Sequence, residues 1–263
     1  MKTWRRNILS GYSWLMLVFL YLPIAILMLY SFNDSRINAV WSGFTWKWYL
    51  SLFDNRQVMA ALANSMTIGI ISSVLATVLG TAAALAIKHY SLRWRTFVNG
   101  LIYLPIVIPE IMMGLALLVL FSQVHMELGK GTLIMAHVTF SMPYVMVIIN
   151  ARLADMGKEL EEAAQDLGAT PWGTLRHVTL PLIMPGVVAG FLMSFTLSLD
   201  DFIISFFVAG PNSTTLPLYI YGLVKRGVSP EVNALSTMLI VCTVLLVIIA
   251  ELFRRKDSKT ITY

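Results

Sequence analysis

Apolar runs of about 20 residues recur along this chain, and each is long enough to cross the roughly 30 Å hydrocarbon layer of a bilayer as one helix. A helix is the only single segment that can do this, because lipid offers no partner for a bare peptide N–H or C=O. The expected spans are residues 9–30, 65–87, 98–121, 133–149, 183–207 and 230–253. Of the 263 residues, 57% are hydrophobic and only 13% are charged. That balance points away from a soluble fold of one or two domains. The expected fold class is all-α, a polytopic membrane protein with six transmembrane helices.

Local chemistry shapes the runs. Lys2, Arg5 and Arg6 make a basic start like that of a signal peptide. The apolar run over 8–32 is longer than a signal h-region and no small-residue cleavage site follows, so a retained first helix is expected. The second span is rich in Gly, Ala, Ser and Thr, including Gly80-Thr81-Ala82-Ala83-Ala84, and small residues allow close helix approach in lipid. Pro105 and Pro109 interrupt the third span, and Pro143 lies inside the fourth. The sixth opens with Ser229 as N-cap, Pro230 at the first helical position and Glu231 in the first turn. Cys242 sits in an apolar run as a packing residue, and a lone cysteine excludes a disulfide within the chain.

Charge sets the orientation. The net charge of +5 could indicate nucleic acid, but the basic residues lie at helix ends, where membrane topology uses them. Of the 19 Lys and Arg, 13 fall on the side of both termini, with Lys88, Arg95, Arg152, Lys158 and Arg176 among them. The positive-inside rule puts that side in the cytoplasm. Two longer outer loops result, 31–64 and 209–229. The first carries Trp41, Trp46, Trp48 and Tyr49, an interfacial aromatic belt or a docking surface for an external protein.

One charged stretch of about 30 residues separates the fourth and fifth runs, on the cytoplasmic side by the same rule. Leu160, Ala163, Ala164 and Leu167 recur at i, i+3, i+4, i+7 and share one face of a short helix, with Glu159, Glu161, Glu162 and Asp166 on the others. Gly168 follows where a left-handed cap favours glycine. Thr170-Pro171 then reads as the N-cap and first residue of a second short helix. The pattern fits either an amphipathic loop helix resting on its own membrane domain or a helix–glycine–helix elbow that lies in a groove on another protein.

Glu162-Ala163-Ala164, Gly168 four positions on, and Val178-Thr179-Leu180-Pro181 resemble the EAA signature of permease subunits in bacterial ABC importers, with Val178 where that family has isoleucine. Ser198-Leu199-Asp200-Asp201-Phe202, Gly210-Pro211 and the stretch from Gly227 through Val228 and Pro230 to Leu235 bring the resemblance to the spermidine/putrescine importers, in their PotC-like subfamily. The resemblance implies a type I importer permease fold in one domain over 1–263, with a family core at about 63–255 and an extra N-terminal helix at 9–30. It implies a homologous second permease, a dimer of cytoplasmic ATPase subunits that bind ATP and Mg in place of this chain, and an external, periplasmic polyamine-binding protein. The setting is the bacterial inner membrane. It assigns ATPase coupling to Glu161, Glu162, Ala163, Ala164, Gly168 and Pro181.

Carboxylates inside spans are the residues most expected to act on cargo, because charge at helix depth is costly and usually faces a cavity or a partner. Glu110 lies about 12 residues into the third run, roughly 18 Å deep in a straight helix at 1.5 Å per residue, beside the helix-breaking Pro109. It reads as a cation site in a broken helix, or as one half of a pair with a neighbouring helix. Asp200 and Asp201 lie in the outer part of the fifth run. Consecutive helical residues diverge by about 100°, so one is expected in the pathway and the other at a helix contact, unless both are simply solvated. Glu251 is explained by Arg254 and Arg255 one turn on. Carboxylates suit an elongated polycation, with aromatics for its stem and ammonium groups. Tyr103, Phe202, Tyr219 and Tyr221 are candidates for that part, or for packing.

Catalytic signatures are missing. Gly129-Lys130-Gly131-Thr132 has the wrong spacing for a phosphate loop, so the chain is not expected to be an enzyme. His89, His125, His137 and His177 show no i, i+4 pairing, so no metal site is expected. Two other classes stay open: an importer permease for another small solute, and a proton-coupled secondary transporter with Glu110 as relay. Topology is directly testable. Cysteines placed near Arg95 or Lys158 are expected to label only from the cytoplasm, and cysteines at Ser42 or Ser213 from outside. Labelling of position 158 by an impermeant reagent in intact cells would overturn the orientation.

Overall fold

A computed structural model describes residues 2–35, 40–89, 95–157, 159–227 and 229–258, without the side chains of residues 2–8, 89, 95–96, 155 and 249–258. Arg36, Arg93, Lys158, Val228 and Lys259 therefore lie outside the described residues, as do the side chains of Lys2, Arg5, Arg6, His89, Arg95, Glu251, Arg254, Arg255 and Lys256.

The chain is helical nearly throughout. Its elements are α1 (Lys2–Tyr30), α2 (Lys47–Asp54), α3 (Arg56–His89), α4 (Arg95–Val107), α5 (Glu110–Gln123), α6 (Lys130–Asp155), α7 (Glu159–Asp166), α8 (Pro171–Thr174), a π turn (Leu175–Thr179), α9 (Leu180–Asp200), α10 (Ile203–Val208), α11 (Leu216–Arg226) and α12 (Pro230–Ser258). Among the described residues, five stretches are long and apolar enough to cross a membrane unbroken: Leu9–Tyr30, Arg56–Lys88, Lys130–Ala154, Pro171–Asp200 and Pro230–Ile248. A bent pair, Phe97–Val107 with Glu110–Gln123, brings the number to six when counted as one span.

The interruption expected in the third run is a sharp bend, with α4 and α5 meeting at 108°, and the bounds of two other spans need correction. Pro109 has no N–H and sits extended at φ −55°, ψ 133°, which stops α4 and restarts the chain in a new direction. The fifth span ends at Asp200 rather than at residue 207, and it begins at Pro171, without a gap between elbow and span. The second begins nine residues before Ser65, at Arg56.

By spatial grouping the chain forms two compact units, Met1–Met59 with Ile220–Cys242, and Ala60–Tyr219 with Thr243–Tyr263. In the first, residues 9–26 of α1 are exposed throughout, as suits an apolar helix surrounded by lipid. The loop after α1 is held by rings and one asparagine. Phe32, Phe44, Trp46 and Tyr49 stack with centroids 4.8–5.6 Å apart. Asn33 accepts from Ser42 N (2.9 Å) and donates to Val40 O (2.8 Å), and Trp48 donates its indole N–H to Asn33 O (2.7 Å). Asn55 Nδ2 reaches Glu231 Oε1 (3.1 Å), tying the α2–α3 corner to the start of α12.

The second unit holds the packed core. Ala76, Ala84, Val145, Ile149, Leu153 and Ile183 form one buried cluster of α3, α6 and α9. Ile68, Met113, Phe121, Leu133, Phe140, Ile204 and Val208 form another, where α10 packs on α5 and α6. The small residues of α3 allow this proximity. A Cβ built on Gly80 would lie 3.0 Å from the Val145 side chain and 3.1 Å from Met142 O. The loop after α10 is anchored to α3 by Asn64 Nδ2, which donates to Asn212 O (3.1 Å) and Thr214 O (3.0 Å). Ser213 is fully buried, with its hydroxyl bonded to Gly210 N and O. It is therefore a poor labelling site, and Thr214 is the exposed substitute.

The contact at Gly80 yields a stability test. Gly80→Val overpacks α3 against α6 and is expected to cost about 1–3 kcal/mol, seen as a lower melting temperature in detergent. Val145→Ala in the same chain should recover much of it, and an unchanged melting temperature in Gly80→Val would refute close packing there.

Candidate functional site

The elbow is built on one buried acid. Glu161 is 9% exposed, and its Oε1 accepts from Thr179 Oγ1 (2.9 Å) and lies 3.5 Å from Lys88 Nζ. Lys88 closes α3 and Thr179 ends the π turn, so Glu161 ties α7 to both. Of the two arrangements open to the elbow, an inward stripe is not found: one acid turns inward and much of the stripe is exposed. Leu160 is 51% exposed, Leu167 89% and Trp172 70%; Ala163 and Glu162 are exposed and Ala164 half-buried. Helical periodicity finds an apolar stripe but not what covers it, and here a Lys and a Thr give an acid the better inward contact.

The turn after α7 closes as expected. Ala169 N donates to Ala164 O (3.0 Å) and Gly168 N to Gln165 O (2.9 Å), the paired bonds of a Schellman cap. Gly168 sits at φ +88°, where a Cβ is strained. Thr170 Oγ1 accepts from Gly173 N (3.1 Å), with Pro171 in the first turn of α8. Pro181 has no N–H for the His177 carbonyl one turn back. The preceding turn widens to π geometry, in which Leu180 N donates to Leu175 O. The second helix of the elbow and the fifth span are one continuous helix from Pro171 to Asp200.

At the other end of that helix, Asp201 leaves helical geometry (φ −65°, ψ 121°) and α10 restarts at Ile203. The divergence expected of consecutive helical residues does not apply across this break. Asp201 is buried, with a side chain 5% exposed. It accepts from Ile204 N (3.2 Å), Ser205 N (2.8 Å) and Ser205 Oγ (2.7 Å), and lies 3.3 Å from His137 Nε2. A ring on another span, His137, therefore stands against the Asp201 carboxylate. Asp200, the last residue of α9, is exposed.

The remaining candidates are dispersed. Glu110 is exposed in the first turn of α5, where the helix dipole favours a carboxylate, and the 108° bend removes the straight-helix basis of its expected depth. Tyr103 Oη accepts from Asn150 Nδ2 (2.7 Å). Phe202 lies 5.8 Å from Phe206, Tyr219 is half-buried in α11, and Tyr221 carries the Lys225 ammonium 4.7 Å from its ring centroid. Among the described residues no cluster of three His, Cys, Asp or Glu could hold a metal.

Residues 76–256 match the family described as "Binding-protein-dependent transport system inner membrane component". The chain belongs to this family. It is a multi-pass inner-membrane transport component with an ABC importer permease fold. The spermidine/putrescine transport system permease protein PotC of Escherichia coli (strain K12) is 42% identical over 254 residues, 97% of this chain and 96% of the relative. The putrescine transport system permease protein PotI of the same strain is 42% identical over 231 residues, 84% and 82%. A solved bacterial alginate ABC transporter, in complex with an alginate pentasaccharide-bound periplasmic protein, shares the fold with a TM-score of 0.72 and 21% identity, over 98% of this permease and 95% of that chain.

Sequence reasoning missed Lys88 and His137 as partners. For His137 a signal existed: Ser198, Asp201 and Ser205 recur at i, i+3, i+7, a polar stripe in an apolar run that calls for a polar partner on a facing helix. The elbow's anchor is testable in the permease. Thr179→Val leaves Glu161 buried with one donor fewer, a loss of about 1–3 kcal/mol. Amide exchange across residues 159–169 should speed up, while that of α6 stays unchanged; unaltered exchange would show that Glu161 does not hold the elbow.

Proposed function

We propose that the chain acts as one domain over residues 1–263, as one of two permease subunits of an ATP-driven, binding-protein-dependent importer of spermidine and putrescine. Both termini lie in the cytoplasm, ATP and Mg are bound by the partner ATPase dimer, and an external polyamine-binding protein delivers the cargo. The observation that carries the reading is the elbow. Glu161 holds α7 from behind, so that Leu160, Ala163 and Leu167 face outward, a surface suited to a groove on another protein. The 30 residues from Pro171 to Asp200 span about 45 Å at 1.5 Å per residue. Motion of the elbow therefore reaches the break at Asp201 along one continuous helix. The 42% identity to a permease named for spermidine and putrescine supports the cargo class.

In this mechanism closure of the ATPases pulls the elbow, and the helix tilts between inward-open and outward-open states. Asp200, exposed beside the break, and Glu110, exposed at the α4–α5 corner, supply transient counter-charges to the ammonium groups of the cargo. Binding there must stay weak enough for release.

In the reconstituted importer, Glu110→Gln and Asp200→Asn are expected to lower spermidine and putrescine uptake roughly ten- to a hundred-fold, the worth of a charge-assisted contact, with ATPase activity retained. Gly168→Val should reach the membrane and lose uptake together with stimulated ATPase activity. Wild-type uptake by both carboxylate variants would remove the pathway assignment. Failure of the purified permease to bring an ATPase subunit with it would remove the importer reading itself.

A further inference from the structure

We propose that His137 is a positioning residue for cargo passage: it clasps the two sides of the break in the fifth span and so sets where Asp200 stands. The inference rests on the pathway reading of Asp200.

His137 is fully buried in α6 and uses both ring nitrogens. Nδ1 lies 2.6 Å from Ser198 Oγ, in the last turn of α9. Nε2 lies 3.0 Å from Ser205 Oγ, in the first turn of α10, and 3.3 Å from Asp201 Oδ2. One rigid ring therefore touches the helix before the break and the helix after it. Ser198 Oγ also lies 3.3 Å from Ser72 Oγ on α3, so three spans meet at this point.

The direction of the bonds follows from their partners. Ser205 gives its hydroxyl proton to Asp201 Oδ2 (2.7 Å), so it can only accept from His137, and Nε2 carries the ring proton. Nδ1 faces the Ser198 hydroxyl on the other side of the break.

The break needs such a clasp. Asp201 leaves helical geometry, and backbone groups freed at membrane depth need cover from protein or from a water-filled cavity. Asp201 covers two N–H groups of α10, but its carboxylate is anchored to the rest of the bundle through His137. Without the ring, the corner can swing relative to α6, and Asp200 moves with it. His137 itself is too deeply buried to meet cargo.

The test uses the complete importer in proteoliposomes. His137→Gln can still donate toward Ser205 and Asp201, and should keep uptake within about threefold of wild type, the size of one weak neutral bond. His137→Asn reaches only the Ser198 side. It should lower uptake about tenfold while binding-protein-stimulated ATPase activity and melting temperature stay close to wild type. Combined with Asp201→Asn its effect on uptake should be less than multiplicative, because the two variants share the His137–Asp201 contact, whereas it should multiply with that of Glu110→Gln.

Ser198→Ala, which removes the Nδ1 partner together with its contact to Ser72, should give the same separation of uptake from ATPase activity at smaller size, and it carries the test should His137→Asn fail to assemble. Wild-type uptake by His137→Asn, or by Ser198→Ala in that case, overturns the inference. So does equal damage by the Gln and Asn variants with ATPase activity falling in parallel, the signature of a plain structural staple. If Asp200→Asn imports normally, the pathway reading falls and takes this inference with it. If Asp200→Asn is impaired and the His137 variants are not, this inference alone falls.

Discussion

In a hydrocarbon layer every peptide N–H and C=O has to find its partner within the protein, and the whole permease is arranged around that constraint. Where the chain is regular, the helix satisfies it residue by residue. The informative places are those where the helix fails. At Pro109 the backbone turns through 108° and a carboxylate, Glu110, takes the first position of the next helix. At Asp201 the helix stops, and the carboxylate itself accepts the amides of Ile204 and Ser205. In both cases an acid stands where a helix begins again, and there its charge has a structural use as well as any use toward cargo.

Rigidity and breakage are distributed along one stretch. From Pro171 to Asp200 the backbone is continuous, and even the proline at 181 is absorbed by a widened turn rather than a kink. The two ends of this rod are held differently. At the elbow, Glu161 is gripped by Lys88 and Thr179; at the break, Asp201 is gripped by His137 and Ser205. Each grip joins the rod to another span, α3 in the first case and α6 in the second. One continuous helix therefore links the anchored elbow to the break at Asp201.

Close approach of the helices makes these grips possible. α3 approaches its neighbours through small residues, with Gly80 lying directly against Val145 and Ser72 Oγ 3.3 Å from Ser198 Oγ. In lipid, where apolar side chains gain little by leaving one apolar medium for another, packing contacts and interhelical hydrogen bonds do most of the work of association.

By itself the sequence determined what depends on neighbours along the chain. The membrane spans follow from run length, the cap at Gly168 from the need for a positive φ, the start of α8 from Thr170-Pro171, and the chain break near Pro109 from the missing N–H. The motif of the elbow was legible for the same reason, since its residues lie within about 20 positions of one another. The tertiary structure alone decided which face each helix turns to which neighbour. Glu161 turned inward because Lys88, 73 residues away in sequence, waits there. Asp201 became a buried clasp and Asp200 an exposed carboxylate because His137 on another span faces one and not the other. Such pairings join residues far apart in the chain, and periodicity along a single helix carries no information about them.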